Sequence, residues 1–157
     1  METLEPYRVL FVDDDELAVK LARRVFEGDE DIVLQATTSA NEALSAPDPS
    51  LDLIVADNRM PEMPGLLLVA RMAEVAPDAM RVMLTAFPDI SVAMEGINKG
   101  LLHRLVIKPW DADDMRSTLR EDLRKKRIND RKGQTKGRSS GGAAETEERD
   151  GRAMAGG

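Results

Sequence analysis

Cysteine is absent from the 157-residue chain. That excludes a disulfide framework, a thiol nucleophile and a thiolate metal site, and it fits a reducing, cytosolic setting. A single histidine, His103, rules out a multi-histidine metal centre. No apolar run approaches the roughly 20 residues that a helix needs to cross a bilayer. The opening Met-Glu-Thr-Leu-Glu-Pro is acidic and lacks the basic and apolar segments of a secretory signal. These gaps together predict a soluble, cytoplasmic protein that does not enter a membrane.

Positive charge is also scarce where a nucleic-acid reader would need it. The net charge is −7, and residues 1–128 hold 16 basic and 24 acidic side chains. An acidic body of this kind is a poor match for a phosphate backbone, so no direct contact with nucleic acid is expected.

What is present is a series of short apolar runs that each stop on a polar residue. Arg8 to Val12 stops at Asp13-Asp14-Asp15, Leu53 to Ala56 at Asp57, Arg81 to Leu84 at Thr85, and Leu105 to Ile107 at Lys108. Continuous apolar runs of this length are strands buried on both faces. A further strand is read at Ile32 to Leu34. Between the strands lie helical patterns. Glu16 to Glu27 carries Leu17, Leu21, Val25 and Phe26 at helical spacing. Ser39-x-x-Glu42 has the form of a capping box. Gly65 to Val75 is stopped by Pro77, Asp89 to Asn98 by Gly100, and the last helix starts from Asp111 as its N-cap.

Five strands alternating with five helices predict an α/β fold with a mostly parallel, doubly wound sheet. In such a sheet the site lies beyond the carboxyl ends of the strands, where strand order reverses. The domain is placed at 1–128. Residues 129–157, rich in Gly, Ser and charge, are expected to be a disordered tail, since they cannot bury enough surface to offset their ordering entropy.

The strand ends bring Asp13, Asp14, Asp57, Thr85 and Lys108 together. Converging carboxylates repel one another, and a divalent cation is the usual reason to tolerate that. All-oxygen ligands suit Mg²⁺. A lysine ammonium and a threonine hydroxyl opposite it complete a cradle for a phosphoryl group, with one carboxylate as nucleophile. Asp57, at the mouth of a loop running into Met60-Pro61 and Pro64-Gly65, is expected to face solvent. An EF-hand at Asp13 fails, because Ala18 replaces the glycine and Arg24 the terminal glutamate.

In order, Val12-Asp13-Asp14, Asp57 with Met60-Pro61 and Gly65, Leu84-Thr85-Ala86, and Lys108-Pro109-Trp110 make the chain resemble the receiver domain of two-component response regulators, over about residues 7–127. The resemblance implies a flavodoxin-like strand order, 2-1-3-4-5. It implies that Asp57 accepts phosphate from a histidine kinase or a histidine phosphotransfer protein. Asp14, Asp57 and the backbone carbonyl of Arg59 would ligate Mg²⁺, with Asp13 acting through metal-bound water. Lys108 would pair with the phosphoryl oxygens, Thr85 would swing toward them, and the Lys108–Pro109 bond would be cis. A downstream protein partner would then bind near the last two helices and the fifth strand, with no turnover of an external substrate.

Two positions depart from the family pattern. Leu105 stands where many receivers carry an aromatic switch residue. Arg59 and Phe87 flank the site, and a bulky Phe87 is expected to shield it from water.

Blander roles are expected elsewhere: Asp15 at the head of a helix, His103 solvated in a turn, Trp110 packed against the last helix. Arg124 to Arg127 is read as a solvated helix end, a homodimer contact there being the minority alternative. Two other functions compete. One is a phosphatase of the haloacid-dehalogenase type with Asp13 as nucleophile and Asp15 as acid. The other is a receiver-like docking module that takes no phosphate.

Overall fold

Consecutive apolar residues form the central strands because helices cover both faces of the sheet. The computed structural model describes residues 5–86 and 89–140. Strands β1 (Tyr7–Val12), β2 (Ile32–Thr37), β3 (Leu53–Asp57), β4 (Met80–Thr85) and β5 (Arg104–Ile107) alternate with helices α1 (Glu16–Phe26), α2 (Ala40–Ser45), α3 (Gly65–Val75), α4 (Ile90–Asn98) and α5 (Ala112–Ser140). Every pairing is parallel, and the order across the sheet is β2-β1-β3-β4-β5. This is the expected doubly wound architecture.

β3 is central, and all five of its residues are buried. Its side chains alternate between two layers, as a pleated strand requires. Ile54 and Ala56 pack with Leu68, Val69 and Met72 of α3 and Ala93 of α4. Leu53 and Val55 pack with Val19 and Phe26 of α1 and Met115, Leu119 and Leu123 of α5. Each of the larger side chains among these, Val, Leu, Ile, Met or Phe, contributes about 2 kcal/mol by leaving water. From β1 the chain moves one way to β2 and then back past β1 to β3. That reversal opens a crevice at the carboxyl ends of β1 and β3.

Several local expectations change. On α1 the buried stripe is Val19, Ala22 and Phe26. Leu17 is 72% exposed and Leu21 38%. Both stripes recur at helical spacing, and the one containing Ala22 is turned to the core. Ser39 does cap α2, its hydroxyl accepting the Glu42 N–H at 3.0 Å. The reciprocal half of the capping box is absent. Glu42 instead receives the Thr37 hydroxyl, and Thr37 Oγ1 accepts the Ser39 N–H at 3.1 Å. Gly100 ends α4 with φ 77°, a conformation that favours glycine.

Contacts divide the chain into one unit ending at Leu123 and a second starting at Arg124. α5 is helical to Ser140, past the boundary at 128. Within the second unit Lys126 pairs with Asp130. The remainder of the expected tail, 141–157, lies outside the described residues. Among the described residues no helix is long and apolar enough to cross a membrane.

Candidate functional site

Backbone hydrogen bonds that continue the sheet past its strands anchor the site. Asp13 N–H donates to Thr37 O at 3.2 Å, Asn58 N–H to Leu84 O at 2.9 Å, and Lys108 N–H to Thr85 O at 2.8 Å. The residues after β1, β3 and β5 are therefore fixed by the same ladder that fixes the strands.

These anchors bring Asp13, Asp14, Asp57 and Lys108 into one group, with Thr85 at the end of neighbouring β4. One oxygen from each of the three carboxylates lies within 4.8 Å of the others. Lys108 Nζ is 2.7 Å from Asp57 Oδ1 and 3.2 Å from Asp13 Oδ2. The second of these is an ion-pair distance without hydrogen-bond alignment. Asp13 Oδ2 consequently stands as a buried oxygen with no hydrogen-bond partner among the described residues. Its other oxygen, Oδ1, accepts the Asp15 N–H at 3.0 Å.

Three carboxylates share one ammonium, so the group is short of positive charge. Burial pushes the Asp57 carboxyl above its ordinary value; the Lys108 hydrogen bond opposes this, and Asp13 and Asp14 add to it. For Lys108 burial works to lower the ammonium, but the hydrogen bond to Asp57 and the charges of Asp13 and Asp57 outweigh it, and the net shift is upward. An orphaned buried oxygen in an all-carboxylate donor set fits a hard divalent cation such as Mg²⁺.

Asp57 is only 6% exposed, a correction to the expectation that it faces solvent. Gly65 is one cause. A Cβ there would sit 2.1 Å from the Asp57 carbonyl oxygen, so only glycine lets α3 start this close to β3. Gly65 N–H closes the intervening loop on Asn58 O at 2.8 Å. Asp14 is exposed. Thr85 is fully buried. Its hydroxyl donates to Ala86 O at 3.3 Å and receives the Asn58 amide at 3.5 Å.

The neighbours of the site sort as follows. Asp15 caps α1, accepting the Leu17 N–H at 3.0 Å. Asp111 caps α5 by accepting the Asp114 N–H at 3.0 Å. The Lys108–Pro109 bond is cis. Trp110 meets Phe11 of β1 edge to face, with centroids 6.3 Å apart. Leu105 is partly buried against the α3 and α4 layer. Phe87 lies outside the described residues. His103 is not merely solvated, because its Nδ1 accepts the Arg81 N–H at 2.9 Å.

Some contacts near the site have no local signature in the sequence. The Arg59 guanidinium pairs with Asp89, 30 residues on, at 2.6 Å. Glu62 accepts the Asn41 N–H at 3.0 Å, pinning the loop after β3 to the start of α2. Beside Lys108, a hollow of about 410 Å³ lies between α1 and the turn to Trp110, with Leu17 and Leu21 in its wall.

The profile of the response regulator receiver domain matches residues 9–120. The hydrogenase transcriptional regulatory protein HoxA of Bradyrhizobium diazoefficiens is 25% identical over 120 residues, which cover 76% of this chain and 24% of that protein. The chain thus spans about a quarter of that curated relative. Among solved structures, the signal receiver domain of an HD domain-containing protein from Pseudomonas fluorescens Pf-5 is 25% identical with a TM-score of 0.72, covering 83% of this chain and 96% of that one. A structure described as adenylate cyclase from Rhodopirellula baltica is 27% identical with a TM-score of 0.76, covering 83% and 96%.

Proposed function

The chain belongs to the response regulator receiver family, and from that premise we propose that it takes a phosphoryl group from a phosphohistidine onto Asp57 and so switches a protein-binding surface. The observation that carries this reading is Lys108, held 2.7 Å from Asp57 and 3.2 Å from a buried Asp13 oxygen that lacks a hydrogen-bond partner. A site built this way has room for more positive charge and a reason to bind it.

An Asp57 oxygen attacks phosphorus, the P–N bond of the donor breaks, and the imidazole leaves with the bonding pair. Lys108 holds a phosphoryl oxygen throughout. Asp14, Asp57 and the Arg59 carbonyl would hold Mg²⁺, with Asp13 beside it. The ion's chemistry is to neutralise charge on the phosphoryl oxygens. The kinase or phosphotransfer protein approaches over the hollow beside Lys108, where Leu17 and Leu21 offer exposed apolar surface. Thr85 then leaves the Ala86 carbonyl for the new phosphoryl oxygen. Leu105, packed against the layer that contains α4, adjusts by repacking rather than by an aromatic rotation.

Loss of the phosphoryl group is slow self-hydrolysis, not turnover of an external substrate. The receiver acts in the cytoplasm on a downstream protein or on a further domain of its own regulator, without touching nucleic acid. The phosphatase alternative is disfavoured because its acid, Asp15, is committed to capping α1, and one oxygen of its nucleophile, Asp13, is held by the Asp15 N–H.

Intact-mass analysis after treatment with acetyl phosphate and Mg²⁺ tests the reading. The wild type gains one phosphoryl group and Asp57→Asn gains none. The variant also melts higher than the apo wild type, since it removes a carboxylate that burial disfavours. Labelling that survived Asp57→Asn and vanished in Asp13→Asn would install the phosphatase instead.

A further inference from the structure

Asp89 occupies the N-cap position of α4 but does not cap it, for its side chain makes no bond to the first-turn amides. Its backbone, at φ −102° and ψ 7°, lies off the extended conformation from which an N-cap side chain turns back onto the helix. The carboxylate goes instead to Arg59 at 2.6 Å. The two ends of that pair differ sharply. The Asp89 side chain is 12% exposed and the Arg59 side chain 77%. An ion pair whose cation stands mostly in water is weak and easily exchanged.

Arg59 is two residues from Asp57. A phosphorylated carboxylate would carry nearly two negative charges and several acceptor oxygens, against one charge on Asp89. Guanidinium binds such oxygens in bidentate fashion. The anion that wins Arg59 therefore depends on whether Asp57 is modified.

We propose that Arg59–Asp89 is a partner-exchange latch. On phosphorylation the guanidinium moves to the phosphoryl oxygens, and the released Asp89 carboxylate turns to cap α4 through the N–H groups of Ser91 and Val92. The latch carries the state of Asp57 to the head of α4 by an electrostatic route that needs no aromatic residue at Leu105. It rests on the receiver reading above and adds the means by which that site regulates its surface.

Amide hydrogen exchange at Ser91 and Val92, measured on the same full-length samples as intact mass, tests it. In the wild type, acetyl phosphate with Mg²⁺ slows both amides by roughly fivefold, the effect of one good N-cap. Arg59→Gln and Asp89→Asn both break the ion pair and keep a side chain able to cap at position 89. They show the slow exchange without any phosphodonor, whereas Asp89→Ala shows it under neither condition. A labelled wild type with unchanged Ser91 and Val92 amides overturns the latch and leaves the receiver reading intact. Arg59→Gln matching the unlabelled wild type does the same. A wild type that takes no phosphoryl group removes the receiver reading, and the latch falls with it.

Discussion

The two ends of the sheet handle charge in opposite ways. At the amino-terminal end, acids and bases come in matched sets. Arg116 holds Asp29 through Nε at 3.0 Å, Arg120 holds Asp31 at 2.8 Å, and Arg8 holds Asp48 at 2.8 Å. Arg81 is shared among the carbonyls of Leu101, Pro77, Ala79 and Gly100. At the carboxyl end, Asp13, Asp14 and Asp57 have Lys108 between them, and a buried oxygen is left over. Among the described residues, the one buried side-chain polar atom without a hydrogen-bond partner lies at the carboxyl end. That open end is where a ligand can supply what is missing.

Removing Lys108 breaks this contrast most severely. Lys108→Ala leaves Asp13 and Asp57 facing each other without compensation, and breaking a largely buried pair costs about 3 kcal/mol. For a chain of this length the thermal midpoint falls by roughly 10 °C. Mg²⁺ raises the midpoint further in the variant than in the wild type, since the cation then answers a larger deficit. Thermal melts with and without millimolar Mg²⁺ measure both effects. A variant as stable as the wild type and indifferent to Mg²⁺ would mean that the carboxylates are not under strain.

The opposite end provides the control. Arg81→Leu strands carbonyls at the ends of α3 and α4 that the guanidinium now serves, costing about 2 kcal/mol. Its Mg²⁺ response and its labelling by acetyl phosphate remain those of the wild type. Loss of labelling in this variant would show that the two ends are not independent.

Much of this arrangement was legible in the sequence because the signal was local. A buried strand that stops on a polar residue shows where its last side chain emerges, and Asp13, Asp57, Thr85 and Lys108 were all found that way. Asp15 and Asp111 as caps follow from the same kind of short-range chemistry. Illegible features depended on which surfaces met. Leu17-Leu21 and Val19-Ala22-Phe26 are both acceptable helical stripes, and only the packing of α1 on the sheet selects the second. The close approach of Gly65 to the Asp57 carbonyl, which contributes to burying Asp57, becomes visible only when α3 is placed against β3. Arg59 with Asp89 and Arg81 with His103 are contacts 30 and 22 residues apart, with no periodicity to announce them.

The smallest expected effect sharpens the comparison, because it asks whether the closed end responds to pH at all. His103 Nδ1 can accept the Arg81 N–H only while the ring nitrogen is unprotonated. Burial holds the His103 imidazole below its ordinary value, and the Arg81 charge adds to that, against a weaker opposing pull from Asp122. With the folded value below the unfolded one, the unfolded chain takes up the proton first as pH falls. The stabilisation is therefore full above the unfolded value of about 6.5 and is lost as pH drops through the lowered folded value. The ring is exposed enough for water to screen it, so the loss is on the order of half a kcal/mol. His103→Gln flattens this step in a plot of denaturant midpoint against pH between about 7 and 5, while leaving the acid-range titration of the carboxylate cluster in place. A step of unchanged size in the variant would assign the pH response to the carboxyl end of the sheet, and the closed end would then be inert to protons as well as to magnesium.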